Sequence, residues 1–388
     1  MLKLPIYLDN NATTPVDPQV LQAMLPYFTE HFGNAASRSH SFGWTAGEAV
    51  TQAREQVAQL INADPSEIVF TSGATEAINL AMKGVYEMYS TKGNHIITCV
   101  TEHKAVLDTC KHLEKLGAEV TYLQVNREGI MDLDLLKAAI RPNTILISIM
   151  AANNETGVLQ PVKEIGAIAK TYGIIFFTDA TQAVGKIPVD VIDDNIDMLC
   201  LSAHKIYGPK GAGALYVRRK DPRVRLVAQI DGGGHEKGMR SGTLNVPGIV
   251  ALGKCCALCI QQMEEEAHRI GALRDQLEKG LTQMKNVTVN GSIIHRLPNV
   301  TNLAFAGMPG DKLLTSINRT IAVSSGSACT SANPEPSHVL KAMKLDDELA
   351  KSSIRFGLGR FTTREEIEYA IDAAWETLFP APGTGSGK

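Results

Sequence analysis

The chain has 388 residues, 44% of them hydrophobic, 20% charged and 5% aromatic, with a formal net charge of -3. That length exceeds what one hydrophobic core organises, so a large and a smaller domain are expected, while the near-neutral charge gives no reason to expect direct nucleic-acid binding. Seven cysteines, an odd number with Cys99, Cys110, Cys200 and Cys329 far apart, argue against a disulfide framework or a spaced zinc motif and point to a reducing compartment, with the cytoplasm as the expected location.

The N-terminal apolar stretch is broken by Asp9-Asn10-Asn11, which does not fit a signal peptide, and no run reads as long enough to cross a membrane. Residues 1–40 read as irregular, because Leu8 to Pro15 and Gly33 to Ser37 are rich in turn formers. A helical pattern runs from Ala46 to Ile61. From Ile68 onward, short apolar runs alternate with helical ones. Strands are predicted at Ile68 to Thr71, His95 to Val100, Glu119 to Val125, Thr144 to Met150, Ile174 to Thr178, Met198 to Ser202 and Gly213 to Val217. The helices between them repeat apolar residues at three and four, as in Ile78, Ala81, Met82, Val85 and Met88. This alternation predicts an α/β fold with a mostly parallel sheet and a ligand site at the strand C-terminal ends.

After Pro247 a long helical pattern extends to about Met284 and is suited to linking two domains; Glu264-Glu265-Glu266 reads as its solvated face. Within it, Cys255, Cys256 and Cys259 fit small buried thiols better than a metal site. Asn299 to Phe305, Ile321 to Ser325 and Ser353 to Phe356 then read as strands, and Asp311 to Asn318, Glu335 to Met343 and Thr363 to Leu378 as helices of a smaller α+β module. Residues 379–388 read as a disordered tail of Gly, Pro and Ser.

Three strand-end stretches carry the chemistry. In Phe70-Thr71-Ser72-Gly73-Ala74-Thr75-Glu76, small residues lie between a strand and a helix, where free N–H groups and the positive helix end hold a phosphate; a turn capped by Ser72 or Thr75 fits the same residues. Asp179 follows a nearly unbroken apolar strand, where an unpaired carboxylate is costly. A protonated pyridine nitrogen would partner it, the plain alternative being a helix N-cap. Lys205, in Ser202-Ala203-His204-Lys205 before a Gly/Pro turn, is placed for a Schiff base with an aldehyde cofactor, or else is a solvated loop lysine. Phosphate turn, aspartate and lysine come in the chain order of fold-type I pyridoxal-phosphate enzymes.

Further motifs narrow the class. They are Leu8-Asp9-Asn10-Asn11-Ala12-Thr13-Thr14-Pro15, Thr101-Glu102-His103-Lys104-Ala105-Val106, Asn153-Asn154-Glu155-Thr156-Gly157, Asp179-Ala180-Thr181-Gln182, Arg240-Ser241-Gly242-Thr243 and Ser324-Ser325-Gly326-Ser327-Ala328-Cys329. With them the sequence closely resembles, over about residues 4–376, the cysteine desulfurases of the NifS and IscS family, particularly the IscS-like group of the class-V aminotransferase superfamily. The resemblance implies a fold-type I pyridoxal-phosphate-dependent transferase. Residues 16–250 would form the large cofactor-binding domain, and residues 251–378 the small domain, to which residues 1–15 contribute.

By position, the resemblance implies that Lys205 holds pyridoxal 5'-phosphate, Asp179 pairs with its pyridine nitrogen and Gln182 bonds its phenolic oxygen. His103 would stack on the ring and assist proton transfer. Ala74, Thr75, Ser202 and His204 would hold the phosphate, joined by Thr243 from the second subunit of a homodimer. Asn154 and Arg355 would orient the cofactor and the substrate carboxylate. From the residues alone, a capped surface histidine and a structural ion pair describe His103 and Arg355 equally well. Cys329 separates a desulfurase from a generic transaminase; the small polar run Ser324 to Asn333 fits an exposed, mobile thiol, with a buried structural cysteine as the alternative.

The implied reaction converts L-cysteine to L-alanine, with neutral Lys205 removing the Cα proton and Cys329 taking the sulfur as a persulfide. Delivery would go to an iron–sulfur scaffold and to other acceptors, such as those of tRNA thiolation. No resident metal is implied, although Cys329 would transiently share an iron–sulfur cluster. The basic segment Arg218, Arg219, Lys220, Arg223 and Arg225 reads as a solvated face or, by the resemblance, as a dock for acidic partners that are frataxin-like or ferredoxin-like. IscS-like enzymes usually continue with a scaffold-docking segment, whereas in this chain Phe379-Pro380-Ala381-Pro382 leads into the tail, so desulfuration is the firmer expectation. Two rivals remain open on the sequence: a fold-type I aminotransferase or lyase acting on another amino acid, selenocysteine included, and a sulfur-pathway binding protein without chemistry.

Overall fold

The computed structural model describes residues 2–325 and 336–378. Its strands in chain order are β1 (Ile6–Tyr7), β2 (Ile68–Thr71), β3 (His95–Cys99), β4 (Glu119–Leu123), β5 (Thr144–Ser148), β6 (Ile175–Asp179), β7 (Met198–Ser202), β8 (Gly213–Val217), β9 (Val287–Val289), β10 (Val300–Phe305), β11 (Ile321–Ala322) and β12 (Ser353–Gly357). Seven form one sheet in the order β2-β8-β7-β6-β5-β3-β4, and β8 runs against both of its neighbours while the others share one direction. The α/β fold with a mostly parallel sheet is therefore the observed one, and each of the seven predicted strands ends within two residues of its observed bounds.

Successive side chains of a strand go to opposite faces, and both faces of this sheet are covered. Ile97, Ile147, Phe176, Leu199 and Tyr216 join one core with helices Ser41–Leu60 and the first half of Val246–Thr282. Ile96, Leu146, Phe177, Met198 and Leu215 join the other with helices Ala74–Tyr89 and Lys104–Lys115. Two-sided burial is the reason these strands read as unbroken apolar runs, each large side chain contributing roughly 1.5–3 kcal/mol.

A third core gathers Ile6 and Leu8 with Leu277, Leu281, Phe305, Ile321, Phe356 and Ile367. Above it lies an antiparallel sheet in the order β12-β10-β9, and β1 pairs in parallel with β11. Helix Val246–Thr282 enters both cores: Ile249, Leu252 and Cys256 on one side, Ile270, Leu273 and Leu277 on the other. Asn245 starts it by accepting a hydrogen bond from Gly248 N at 3.2 Å, with Pro247 in the first turn. Cys255, Cys256 and Cys259 are buried on this helix, and burial holds their thiols above the ordinary range.

Several expectations need correction. Residues 1–40 are not wholly irregular: helix Pro18–Met24 starts where Asp17 accepts from Gln19 N at 2.8 Å, and a short helix, Pro26–Thr29, follows. An aspartate followed by proline was a readable start signal. The strand expected at Ile321 to Ser325 is two residues long, and β9 and helix Asp347–Lys351 were not anticipated. Glu266 is not simply solvated, because Arg360 donates to it and, through Nη1, to Asp17 at 2.8 Å. Helix Val246–Thr282 does contain a stretch long and apolar enough to cross a membrane, yet more than half of that stretch is buried inside the protein. Its apolarity is thus that of a core helix. The predicted tail, residues 379–388, lies outside the described residues.

Candidate active site

The C-terminal ends of β2, β3, β5, β6 and β7 converge, with the N-terminal Asn11-Ala12 turn and β12, on a cavity of about 530 Å³. Ten of the twelve residues singled out from the sequence line it: Ala74, Thr75, His103, Asn154, Asp179, Gln182, Ser202, His204, Lys205 and Arg355.

One corner of it is the turn after β2, where Ser72 to Glu76 line the cavity. Gly73, at φ 151°, starts helix Ala74–Tyr89 with no side-chain cap, so neither Ser72 nor Thr75 occupies the helix's first N–H groups. Glu76 folds back instead, accepting from Ser72 N at 2.9 Å and from Arg240 Nε at 2.7 Å. Burial opposes its charge, but these donors hold its carboxyl below the usual range. Behind the turn, a Cβ on Gly213 would lie 2.6 Å from Gly73 Cα, so β8 needs glycine for this close approach. Ser202 lies beside Gly73 and lines the cavity, as does His204. Burial, reinforced by Lys205 and Lys210, lowers His204 to about 4, so its ring is neutral at pH 7.

Lys205 closes the short turn Ala203–Lys205 after β7 and is not a solvated loop lysine. Its Nζ donates to Asn11 O at 2.7 Å and Ala12 O at 2.6 Å. Burial, and then the Arg355 guanidinium, lower it to about 8. Asp179, the last residue of β6, is 7% exposed and accepts two hydrogen bonds, from Thr181 N at 3.0 Å and Cys200 Sγ at 3.3 Å. Both fall on Oδ1. The capping alternative is thus met by one oxygen, and Oδ2 is left to the cavity side. Gln182 Nε2 donates to Asn11 O at 2.9 Å.

His103 combines both of its sequence readings. It caps helix Lys104–Lys115, with Nδ1 accepting from Ala105 N at 3.1 Å, and its ring faces the cavity. That contact makes Nε2 the protonated nitrogen of the neutral ring; desolvation lowers the His103 pKa against the pull of Asp179. Arg355, in β12, is likewise both ion pair and cavity group: Nη2 donates to Asp9 Oδ1 at 2.7 Å and Nη1 to Asn154 O at 3.0 Å, while its buried Nε has no partner. A guanidinium on the cavity wall suits an incoming carboxylate. Glu155 is fully buried beside Asn154, takes a hydrogen bond from Ser337, and is raised by burial to about 7.

Two sequence candidates lie elsewhere. Thr243 is exposed and does not line the cavity, and Cys329 falls outside the described residues. Sequence reasoning assigned no role to Asn11, Asp9, Glu155 or Lys186, although the first three stand inside the family motifs. Their positions become meaningful only when the N-terminal turn folds over the strand ends. The uncapped helix start, the strand-end carboxylate, a depressed lysine and a guanidinium on one cavity fit pyridoxal phosphate carrying an amino acid.

Comparison with known proteins agrees. Residues 6–370 match the family described as Aminotransferase class-V. The chain is 60% identical over 371 residues to the cysteine desulfurase IscS of Anaeromyxobacter dehalogenans (strain 2CP-C), covering 95% of this chain and 91% of that one. A solved structure of a NifS-like protein superposes with a TM-score of 0.90 at 38% identity, covering 97% and 99% of the two chains. One of SspA in complex with cysteine gives 0.82 at 40% identity, covering 92% and 100%. The chain thus belongs to the class-V aminotransferase family, among its pyridoxal-phosphate-dependent cysteine desulfurases.

Proposed function

We propose that this desulfurase transfers the sulfur of L-cysteine to its own Cys329, releasing L-alanine, with the work divided among the cavity residues. The observation that carries the reading is the opening of Lys205 and Arg355 into one cavity. Ala74 and Thr75, with Ser202 and His204, would hold the cofactor phosphate; Asp179 would pair with the pyridine nitrogen, Gln182 would bond the phenolic oxygen and His103 would stack on the ring. Pyridoxal phosphate, when bound, supplies an electron sink that acidifies the Cα–H bond of an attached amino acid.

The chain's own groups do the rest. Lys205, as a neutral amine, takes the Cα proton. Arg355 and Asn154 hold the substrate carboxylate, and His103 Nε2 passes a proton. The Cys329 thiolate forms a bond to the substrate sulfur as the Cβ–S bond breaks. L-cysteine and one thiol thereby become L-alanine and one persulfide, with no outside oxidant or reductant. Binding of cysteine by the SspA relative supports the choice of substrate; the intact set around Lys205 weighs against a binding protein without chemistry.

The sulfur then passes to an iron–sulfur scaffold and to tRNA-thiolation acceptors in the cytoplasm. Acidic partners, frataxin-like or ferredoxin-like, dock on Lys220, Arg223 and Arg225, which are exposed. Arg218 and Arg219 serve the fold instead, Arg218 pairing with Asp197 at 3.2 Å and Arg219 N donating to Glu67 at 2.7 Å. A homodimer accounts for Thr243, whose exposure outside the cavity suits service to a neighbouring subunit's phosphate. Residues 16–250 act as the cofactor-binding domain and 251–378, with 1–15, as the smaller one, a division supported by Ile6 and Leu8 sharing a core with Phe356. The test is mass spectrometry after incubation with L-cysteine: added sulfur is expected on Cys329, and Cys329→Ser should form no alanine while keeping the cofactor's absorbance. Full turnover by Cys329→Ser would end this assignment.

A further inference from the structure

Gln182 lines the cavity, but the group that fixes its amide does not. Lys186, four residues further on, donates from Nζ to Gln182 Oε1 at 2.7 Å. At the other end of the same carboxamide, Nε2 donates to Asn11 O at 2.9 Å, and that carbonyl also accepts from Lys205 Nζ at 2.7 Å. Nζ donates to Oε1 and a main-chain carbonyl can only accept, so the two contacts together specify both ends of the amide. The second Nε2 hydrogen is then free for the cavity.

Lys186 has little other reason to be there. Among the described residues it forms no ion pair, and Gln182 Oε1 is the hydrogen-bond acceptor it reaches. Burial, with Lys205 and Arg355 close enough to repel it, lowers its ammonium to about 7. Placing a cation under two others costs stability unless the contact it makes is used.

We propose that Lys186 is a positioning residue that locks the Gln182 carboxamide with Nε2 toward the cavity, as the donor to the phenolic oxygen of bound pyridoxal phosphate. The inference rests on the proposed contact of Gln182 with that oxygen. Without Lys186 only the Asn11 carbonyl holds the amide, so the orientation that presents an oxygen to an oxygen becomes more populated.

The experiment is a double-mutant cycle on the reconstituted enzyme with Lys186→Met, Lys186→Gln, Gln182→Ala and the double variants. It reads the dissociation constant for pyridoxal phosphate and the absorption maximum of the bound cofactor, with thermal unfolding of each apoenzyme as the folding control. Loss of one hydrogen bond's orientation predicts about 5- to 10-fold weaker retention and a displaced band for either Lys186 variant. No further change is expected when Gln182 is already Ala. Equal losses in both backgrounds would show a merely structural lysine and overturn the inference. An unaffected Lys186 variant beside an affected Gln182→Ala would overturn it as well. If Gln182→Ala itself changes neither readout, the role of Gln182 fails first and the inference with it.

Discussion

Lys205 is held at about 8 by burial and by Arg355, with Asp179 and Asp9 pulling the other way. At pH 7 a lysine at about 8 is roughly 9% neutral, against roughly 0.03% for one at its ordinary 10.5, an advantage of about 300-fold in reactive amine. Capture of the cofactor aldehyde by apoenzyme at saturating pyridoxal phosphate should therefore accelerate with pH and level off above about 8. Two substitutions move that midpoint in opposite directions. Arg355→Met removes the nearby cation, raises Lys205 and slows capture at pH 7; a move of one pH unit costs about ninefold. Asp9→Asn keeps an acceptor for Arg355 but deletes the charge that supports the ammonium, so it lowers Lys205 and speeds capture by up to about fivefold for the same move. Stopped-flow absorbance across pH 6–10 measures both. A rate independent of pH, or a shift of the same sign in both variants, would refute the electrostatic account.

Two other consequences follow from buried groups and close packing. Glu155 holds its proton more tightly in the folded chain, at about 7 against an ordinary 4.5; the stability this gives is fully present below about pH 4.5 and is lost as pH rises through 7, up to about 3 kcal/mol. Glu155→Gln, which keeps an oxygen for Ser337, should flatten the fall in apoenzyme unfolding temperature between pH 5 and 8; an unchanged slope would count against it. Gly213→Ala drives a Cβ against Gly73 Cα and so displaces the phosphate turn, predicting at least about tenfold weaker cofactor retention with the sheet still folded by circular dichroism. Wild-type affinity in that variant would mean that the turn tolerates the shift.

The main sheet was legible because burial on both faces forces continuous apolar runs, and each run ends where a site residue stands: Thr71 before the phosphate turn, Asp179 at the end of β6, Ser202 before Lys205. Local sequence also set the choices at Lys205 and Asp179 without resolving them. His103 and Arg355 show why: each satisfies the plain reading and the functional one together, as a cap that faces the cavity and an ion pair that lines it. Nothing in the spacing of residues 1–40 could reveal that Asn11 O would receive both Lys205 and Gln182, partners 194 and 171 positions away.

The sequence by itself determined the strand ends, the order of phosphate turn, aspartate and lysine, and through its motifs the family. Only the tertiary structure decided which charges are felt. It places Arg355 close enough to depress Lys205, buries Lys186 against Gln182, and leaves Gly73 uncapped, because hydrogen bonding and desolvation depend on distances between segments that lie far apart along the chain.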